Sequence, residues 1–164
     1  MAGPKLSAAD IGQLYEQHGA ALLLYARSFV VDAAVGEDLV HEVFLKLLRG
    51  ETTVPDIPLA YLYRAVRNAA LNTRRDRRSH EAHDNEIPWF QHREGKQEEE
   101  LALQSALGEL PEDQRAIVIM RIWGGMTLEE VADATEAPLS TAASRYRYAL
   151  EKLRERLKPW RRLT

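Results

Sequence analysis

Residues 126–153 read MTLEEVADATEAPLSTAASRYRYALEKL, and the break in the middle of this stretch constrains the fold more than any other feature. Thr127 and Glu130 stand at capping-box spacing, so a helix is expected to start there. Leu128, Val131, Ala132 and Thr135 then recur at helical intervals. The run ends at Glu136-Ala137-Pro138, because Pro138 restricts Ala137 and cannot continue the hydrogen-bond ladder. A second helix opens at Leu139 or Ser140. Two short helices with a joint of about four residues match a helix-turn-helix.

The second helix carries two stripes. Ala142, Tyr146, Ala149, Leu150, Leu153 and Leu157 repeat at three and four and form the expected inward face. Thr141, Ser144, Arg145, Tyr148 and Lys152 lie opposite. Small residues at Ala142, Ala143 and Ser144 let the start of the helix approach another surface closely. Hydroxyl and guanidinium groups at a helix N-terminus suit phosphates and base edges in a major groove. The plainer alternative is an amphipathic helix that closes a bundle.

The rest of the chain shows helical periodicity with clear stops and almost no period-two alternation. Ser7 with Asp10 reads as a capping pair, followed by Ile11, Leu14, Tyr15, Ala21, Leu22 and Tyr25 on one face. A second helix is expected from Ala34 to Leu48 with Leu39, Val40, Val43, Phe44 and Leu47 inward, and a third from Leu59 to about Arg77. Residues 49–58, with two prolines, form a loop between them. Residues 79–97 are polar, rich in histidine and broken by Pro88, which suits a flexible linker. Helix resumes at Glu98–Leu107, restarts at Pro111 and stops at Gly124-Gly125. The expectation is an all-α chain of two small helical domains, 1–78 and 98–164, joined by the linker 79–97.

Charge separates along this layout. Residues 1–58 balance at −4, 59–78 at +5, 79–138 at −10 and 139–164 at +6, so the overall −3 hides two basic blocks. Segregated positive charge reads as a footprint for polyanions, or as the solvated faces of amphipathic helices. The sequence contains no cysteine, which removes disulfides, thiolate zinc sites and cysteine nucleophiles, and fits a reducing cytoplasm. No apolar run is long enough to cross a bilayer, and the first residues lack a basic-then-apolar signal pattern, so no membrane insertion is expected. His80, His83 and His92 have no ordered partners for a metal site. Without a phosphate-cradling glycine loop or nucleophile constellation, neither an enzyme, a metal nor a cofactor is expected.

The stretch LGELPEDQRAIVIMRIWGGMTLEEVADATEAPLSTAASRYRYALEKLRERL resembles the fourth conserved region of bacterial sigma factors of the sigma-70 family. GEDLVHEVFLKLLRG resembles the region-two helix that docks on core RNA polymerase, and AYLYRAVRNAALNTRRDRR the helix that captures the melted promoter strand. With regions two and four in order and regions one and three missing, the chain is similar to the extracytoplasmic-function (ECF) class. The resemblance implies a non-catalytic promoter-specificity subunit whose partners are core RNA polymerase and promoter DNA, with an anti-sigma factor as an admissible third.

Carried over residue by residue, the resemblance implies polymerase contacts from Asp38, His41 and Glu42 beside apolar Leu39, Val43 and Phe44, with His41 standing where the family commonly has glutamine. It implies minus-ten contacts from Tyr61, Tyr63, Arg64, Arg67 and Asn68, aromatics stacking on bases and arginines holding phosphate. Arg74, Arg75, Arg77 and Arg78 are implied duplex phosphate contacts. Loop 50–58 corresponds to a base-specificity loop. In region four it implies minus-thirty-five readout by Ser140, Thr141, Ser144, Arg145 and Tyr148, with Arg147 as a flanking contact. Ala142-Ala143 replaces the family's usual Val-Lys pair. Two rivals stay open on sequence: a conventional helix-turn-helix regulator whose first half senses or dimerises, and a helical adaptor that binds protein alone.

Overall fold

The computed structural model describes residues 6–30, 32–51, 58–80 and 98–159. The expected loop (apart from its ends) and most of the expected linker lie outside the described residues. Seven α-helices account for nearly all of those described: α1 (Ala8–Arg27), α2 (Ala33–Leu48), α3 (Pro58–His80), α4 (Glu98–Glu109), α5 (Glu112–Val118), α6 (Leu128–Thr135) and α7 (Leu139–Arg156). A π-helical turn, Ile119–Trp123, continues α5.

Helix starts follow the capping chemistry. Ser7 Oγ accepts from the Asp10 amide at 3.1 Å while the Ser7 amide donates to Asp10 Oδ2 at 2.9 Å. At α6 the Thr127–Glu130 box closes with two hydrogen bonds of 3.1 Å. Pro58 takes the first position of α3, where its missing N–H is harmless. That helix runs to His80, so the first two residues of the expected linker are helical; nothing in Arg77-Arg78-Ser79-His80 opposes a helix.

The π turn has no counterpart in the expectations. The Gly124 amide donates to the Ile119 carbonyl at 2.9 Å, closing a ring one residue wider than an α turn. Gly125 follows at φ 64°, a conformation that glycine adopts freely. Arg121 then holds the loop: its Nη1 donates to the Met126 carbonyl, and its guanidinium lies 5.2 Å from the centre of the Tyr146 ring on α7.

Helices α1, α2 and α3 pack as one unit around Leu22, Tyr25, Val40, Phe44, Leu62 and Val66. Tyr25 sits edge-on to Phe29 at 5.1 Å and to Tyr63 at 4.9 Å. A smaller cluster joins α4, α5 and α7 through Ala106, Leu107, Leu110, Val118, Ala149 and Leu153. The two halves do not stand apart. The larger core runs on from the first unit into Ile117, Ile119, Met120, Met126 and Val131, with α3 against α6 and α1 against the π turn. Arg115 of α5 reaches across to donate to the Ser28 carbonyl at 3.1 Å. Burial holds its guanidinium below the ordinary arginine pKa.

One inward assignment is corrected. Tyr15 is 43% exposed. It stands at the edge of α1, edge-on to Phe44 at 5.1 Å, and its Oη lies 3.2 Å from His41 Nε2. A ring with a polar tip is stable half-buried when that tip finds a partner.

Candidate nucleic-acid interface

The helix-turn-helix forms where the sequence places it. Helix α6 ends at Thr135, and Glu136 takes the left-handed conformation (φ 54°, ψ 39°) that turns the chain toward α7. Ala142, Ala149 and Leu153 are buried and Tyr146 packs on the core. On the other side of α7, Ser140, Arg147 and Tyr148 are exposed, and Thr141, Ser144 and Arg145 are half-buried. The Arg147 guanidinium lies 5.3 Å from the centre of the Tyr148 ring, which gives the exposed face a flat cationic patch. Arg145 Nη2 sits 3.8 Å from Asp113 Oδ2, a loose pair that a stronger anion can displace.

The candidate minus-ten residues of α3 divide. Asn68 and Arg75 are exposed, and Tyr61 and Arg67 are half-buried. Tyr63 was expected to offer its ring to a base, but here it is fully buried. It packs on Tyr25, and its Oη is so close to Gly124 that a Cβ on that residue would lie 2.7 Å away. Burial pushes its phenol well above the ordinary tyrosine pKa, and that of Tyr25 likewise. Arg64 Nη2 donates to the Asp133 carbonyl at 2.7 Å and lies 3.1 Å from Asp133 Oδ1; its Nε is 3.6 Å from Glu136 Oε1. Arg74 pairs with Glu112 of α5. The side chains of Arg77 and Arg78 lie outside the described residues.

On α2, Asp38, His41 and Glu42 are exposed, Leu39 is half-buried against the core, and Phe44 is buried beneath them. The sequence reading missed what lies beside these residues. Ile11, Tyr15, His41, Phe44, Leu45 and Leu48 line an apolar groove of about 490 Å³ between α1 and α2. Leu45 and Leu48 are 41% and 52% exposed. They follow His41 at i+4 and i+7 on the same helix face, a spacing that could have flagged them. Ile122 and Trp123, turned outward by the π turn, form a second exposed apolar pair. Among the described residues no His, Asp or Glu cluster could hold a metal, and no helix is long and apolar enough to cross a membrane.

Comparison with known proteins agrees with both halves. The family described as Sigma-70 region 2 matches residues 14–80, and that described as Sigma-70, region 4 matches residues 100–153. The RNA polymerase sigma-E factor of Streptomyces coelicolor is 30% identical over 143 residues, covering 84% of this chain and 80% of that protein. The ECF RNA polymerase sigma factor SigL of Mycobacterium tuberculosis is 26% identical over 156 residues, 90% of this chain and 88% of that one. The ECF sigma factor RpoE of Cereibacter sphaeroides is 41% identical over a shorter match of 61 residues, 37% of this chain and 34% of that one.

Among solved structures, the sigma factor RpoE of Bartonella quintana, crystallised with the anti-sigma factor NepR, superposes with a TM-score of 0.73 at 23% identity, over 92% of this chain and 98% of that one. CnrH, in complex with the cytosolic domain of CnrY, gives 0.66 at 26% identity, over 93% and 90%. A region-two match over the first half replaces the rival reading of that half as a sensory module. The chain belongs to the extracytoplasmic-function class of the sigma-70 family: it is an RNA polymerase sigma factor, a subunit that binds core polymerase and directs promoter recognition, melting and the start of transcription.

Proposed function

We propose that the work of this sigma factor is divided among three surfaces: α2 holds core RNA polymerase, α3 holds the opened minus-ten strand, and the start of α7 reads the minus-thirty-five element. One observation supports this reading above the others. Packing leaves Ser140, Arg147 and Tyr148 uncovered at the start of the recognition helix, in the segment with the second positive balance. Ser140, Thr141, Ser144 and Arg145 supply short hydroxyls and a guanidinium fork to base edges and phosphates. On α3, Tyr61, Arg64, Arg67 and Asn68 offer stacking and hydrogen bonds to single-stranded bases, and Arg74 and Arg75 hold duplex phosphate, while the buried Tyr63 supports the helix from beneath.

On α2, Asp38, His41 and Glu42 carry the polar contacts to polymerase, and the exposed leucines next to them extend the same face. The chain works in the cytoplasm as a positioning subunit, and chemistry stays with the polymerase. An anti-sigma factor is the further partner this reading admits; both solved relatives above were crystallised or determined with a partner, one of them named as an anti-sigma factor. Arg145→Ala tests the assignment. It lowers run-off transcription from a promoter that depends on its minus-thirty-five element while co-purification with core polymerase stays at the wild-type level. Equal transcription from both proteins refutes it.

A further inference from the structure

We infer that Arg121 is a positioning residue for promoter readout: held between the Met126 carbonyl and the Tyr146 ring, it fixes the rotation of α7 about its own axis and so aims Arg145, Arg147 and the first-turn hydroxyls at the bases. The inference rests on the reading of α7 as the minus-thirty-five helix.

Helix α7 has little else to hold that rotation. Its fully buried residues are Ala142, Ala149 and Leu153. Two of these are alanines, whose methyl groups lie close to the helix axis and resist turning poorly. Leu153 is a turn further on and belongs to the smaller cluster with α4 and α5. Arg145 meets Asp113 of α5 only at 3.8 Å. Tyr146, between the two alanines, is the large side chain that packs on the core from the first half of α7.

Arg121 takes the face of that ring. Its guanidinium lies 5.2 Å from the ring centre, its Nη1 donates to the Met126 carbonyl, and its Nε is buried with no hydrogen-bond partner among the described residues. A guanidinium so enclosed serves the fold and leaves phosphate to its neighbours. The π turn brings it there. One residue more than an α turn, followed by Gly125 at φ 64°, folds the chain back so that Met126 meets Arg121. Met126 is fully buried and immediately precedes Thr127, the cap of α6. One side chain therefore ties the entry of the first helix of the pair to the middle of the second.

Readout is sensitive to this contact. Adjacent residues on a helix point about 100° apart, so Arg145 and Arg147 flank Tyr146 on either side. The helix surface lies about 5–6 Å from the axis, and a roll of about 15° moves it by about 1.5 Å. Binding groups need placement within about 0.5 Å. Loss of the contact is therefore expected to blur discrimination between bases before it unfolds the helix pair.

The test uses polymerase reconstituted with the full chain, selecting from duplexes randomised over the minus-ten and minus-thirty-five regions. It is run at a temperature where circular dichroism shows every variant folded. Arg121→Met keeps the side chain's length and removes its charge and donors. It is expected to retain the wild-type minus-ten motif, while its preference for the best minus-thirty-five site over single-base variants falls about five- to tenfold. Tyr146→Leu falls equally, the two combined fall no further than either alone, and Tyr146→Phe, which offers the same ring face, keeps the wild-type preference. Leu153→Val, which removes core volume from the same helix away from the contact, keeps it too. An Arg121→Met preference within twofold of wild type overturns the inference. So does a double variant whose loss is the product of the two single losses, or a Leu153→Val chain that loses as much as Arg121→Met. The reading of α7 fails separately, if the wild-type polymerase selects a minus-ten motif and none at minus thirty-five.

Discussion

Gly124 is where the π turn meets Tyr63, and replacing it with alanine tests how tightly the two halves are matched. A Cβ there would lie 2.5 Å from the Met120 carbonyl oxygen and 2.7 Å from Tyr63 Oη. The near limit of ordinary C–H···O contacts is about 3.3 Å, so the two gaps are short by about 0.8 and 0.6 Å. Neither neighbour yields easily, because one is backbone and the other is the tip of a fully buried ring. Overpacking of this kind costs about 1–3 kcal/mol. The backbone at Gly124 (φ −80°, ψ −17°) is open to alanine, so the stiffer unfolded chain returns about 0.4–1 kcal/mol. The net expectation is a loss of about 1–2 kcal/mol, or about 2–8 °C in Tm for a chain of this size. Urea and thermal melts followed by circular dichroism measure it. Tyr63→Phe sharpens the test, since it removes one of the two clashes and an oxygen with no hydrogen-bond partner among the described residues. Alone it should be nearly neutral. Combined with Gly124→Ala it should recover about half of the loss. A Gly124→Ala chain as stable as wild type, or a double variant that is merely additive, refutes this account of the contact.

Three further outcomes follow from the same structure. Hydrogen bonds from the Ser7 amide and hydroxyl hold the Asp10 carboxyl below its ordinary value, so its contribution is present above that value and is lost as pH falls through the lowered one; the difference in Tm between wild type and Asp10→Asn should be present at pH 6 and vanish at strongly acid pH. The phenols of Tyr25 and Tyr63 are raised by burial, so the stability tied to keeping them neutral is intact below the unfolded tyrosine pKa and is lost as pH rises beyond it; in an absorbance titration of the six tyrosines, two should stay protonated past pH 11 until the chain unfolds. Leu45→Glu places a charge on an exposed groove residue, so it should leave Tm within about 1–2 °C and reduce co-purification with core polymerase; unimpaired association argues against α2 as the docking face.

Much of this architecture was legible because it is written in local chemistry. The Ser7–Asp10 and Thr127–Glu130 boxes mark helix starts, Pro138 marks the joint, and the stripe from Ala142 to Leu153 marks the buried face of α7. Each signal lies within a few residues of what it specifies. The failures share a different cause. Periodicity shows that Tyr63 and Arg64 are adjacent on α3, but not that a second unit covers them, because the covering residues Gly124, Asp133 and Glu136 stand sixty or more positions away. The π turn has no residue signature, so the outward swing of Ile122 and Trp123 could not be read. Tyr15 falls on an apolar repeat and was placed inward. Its exposure depends on His41, twenty-six residues away, whose Nε2 stands within hydrogen-bond distance of the hydroxyl.

The charge pattern carries the argument one step further. A block at +5 beside one at −10 reads as a surface waiting for polyanions, and the structure places Asp133, Glu136 and Glu112 against Arg64 and Arg74 of that block. These two descriptions rest on one property. A guanidinium able to hold phosphate also holds a carboxylate, and the chain supplies its own when no nucleic acid is present. Exposed or half-exposed pairs of this type contribute about 0–1 kcal/mol each. Such contacts can bias the halves together without locking them. They are also screened at a Debye length of about 8 Å in physiological salt. Raising salt therefore weakens the internal pairs and the DNA contacts together. The free chain's affinity for a minus-ten strand should then fall less steeply with salt than that of Asp133→Asn with Glu136→Gln, because only the wild type loses a competitor as it loses a ligand.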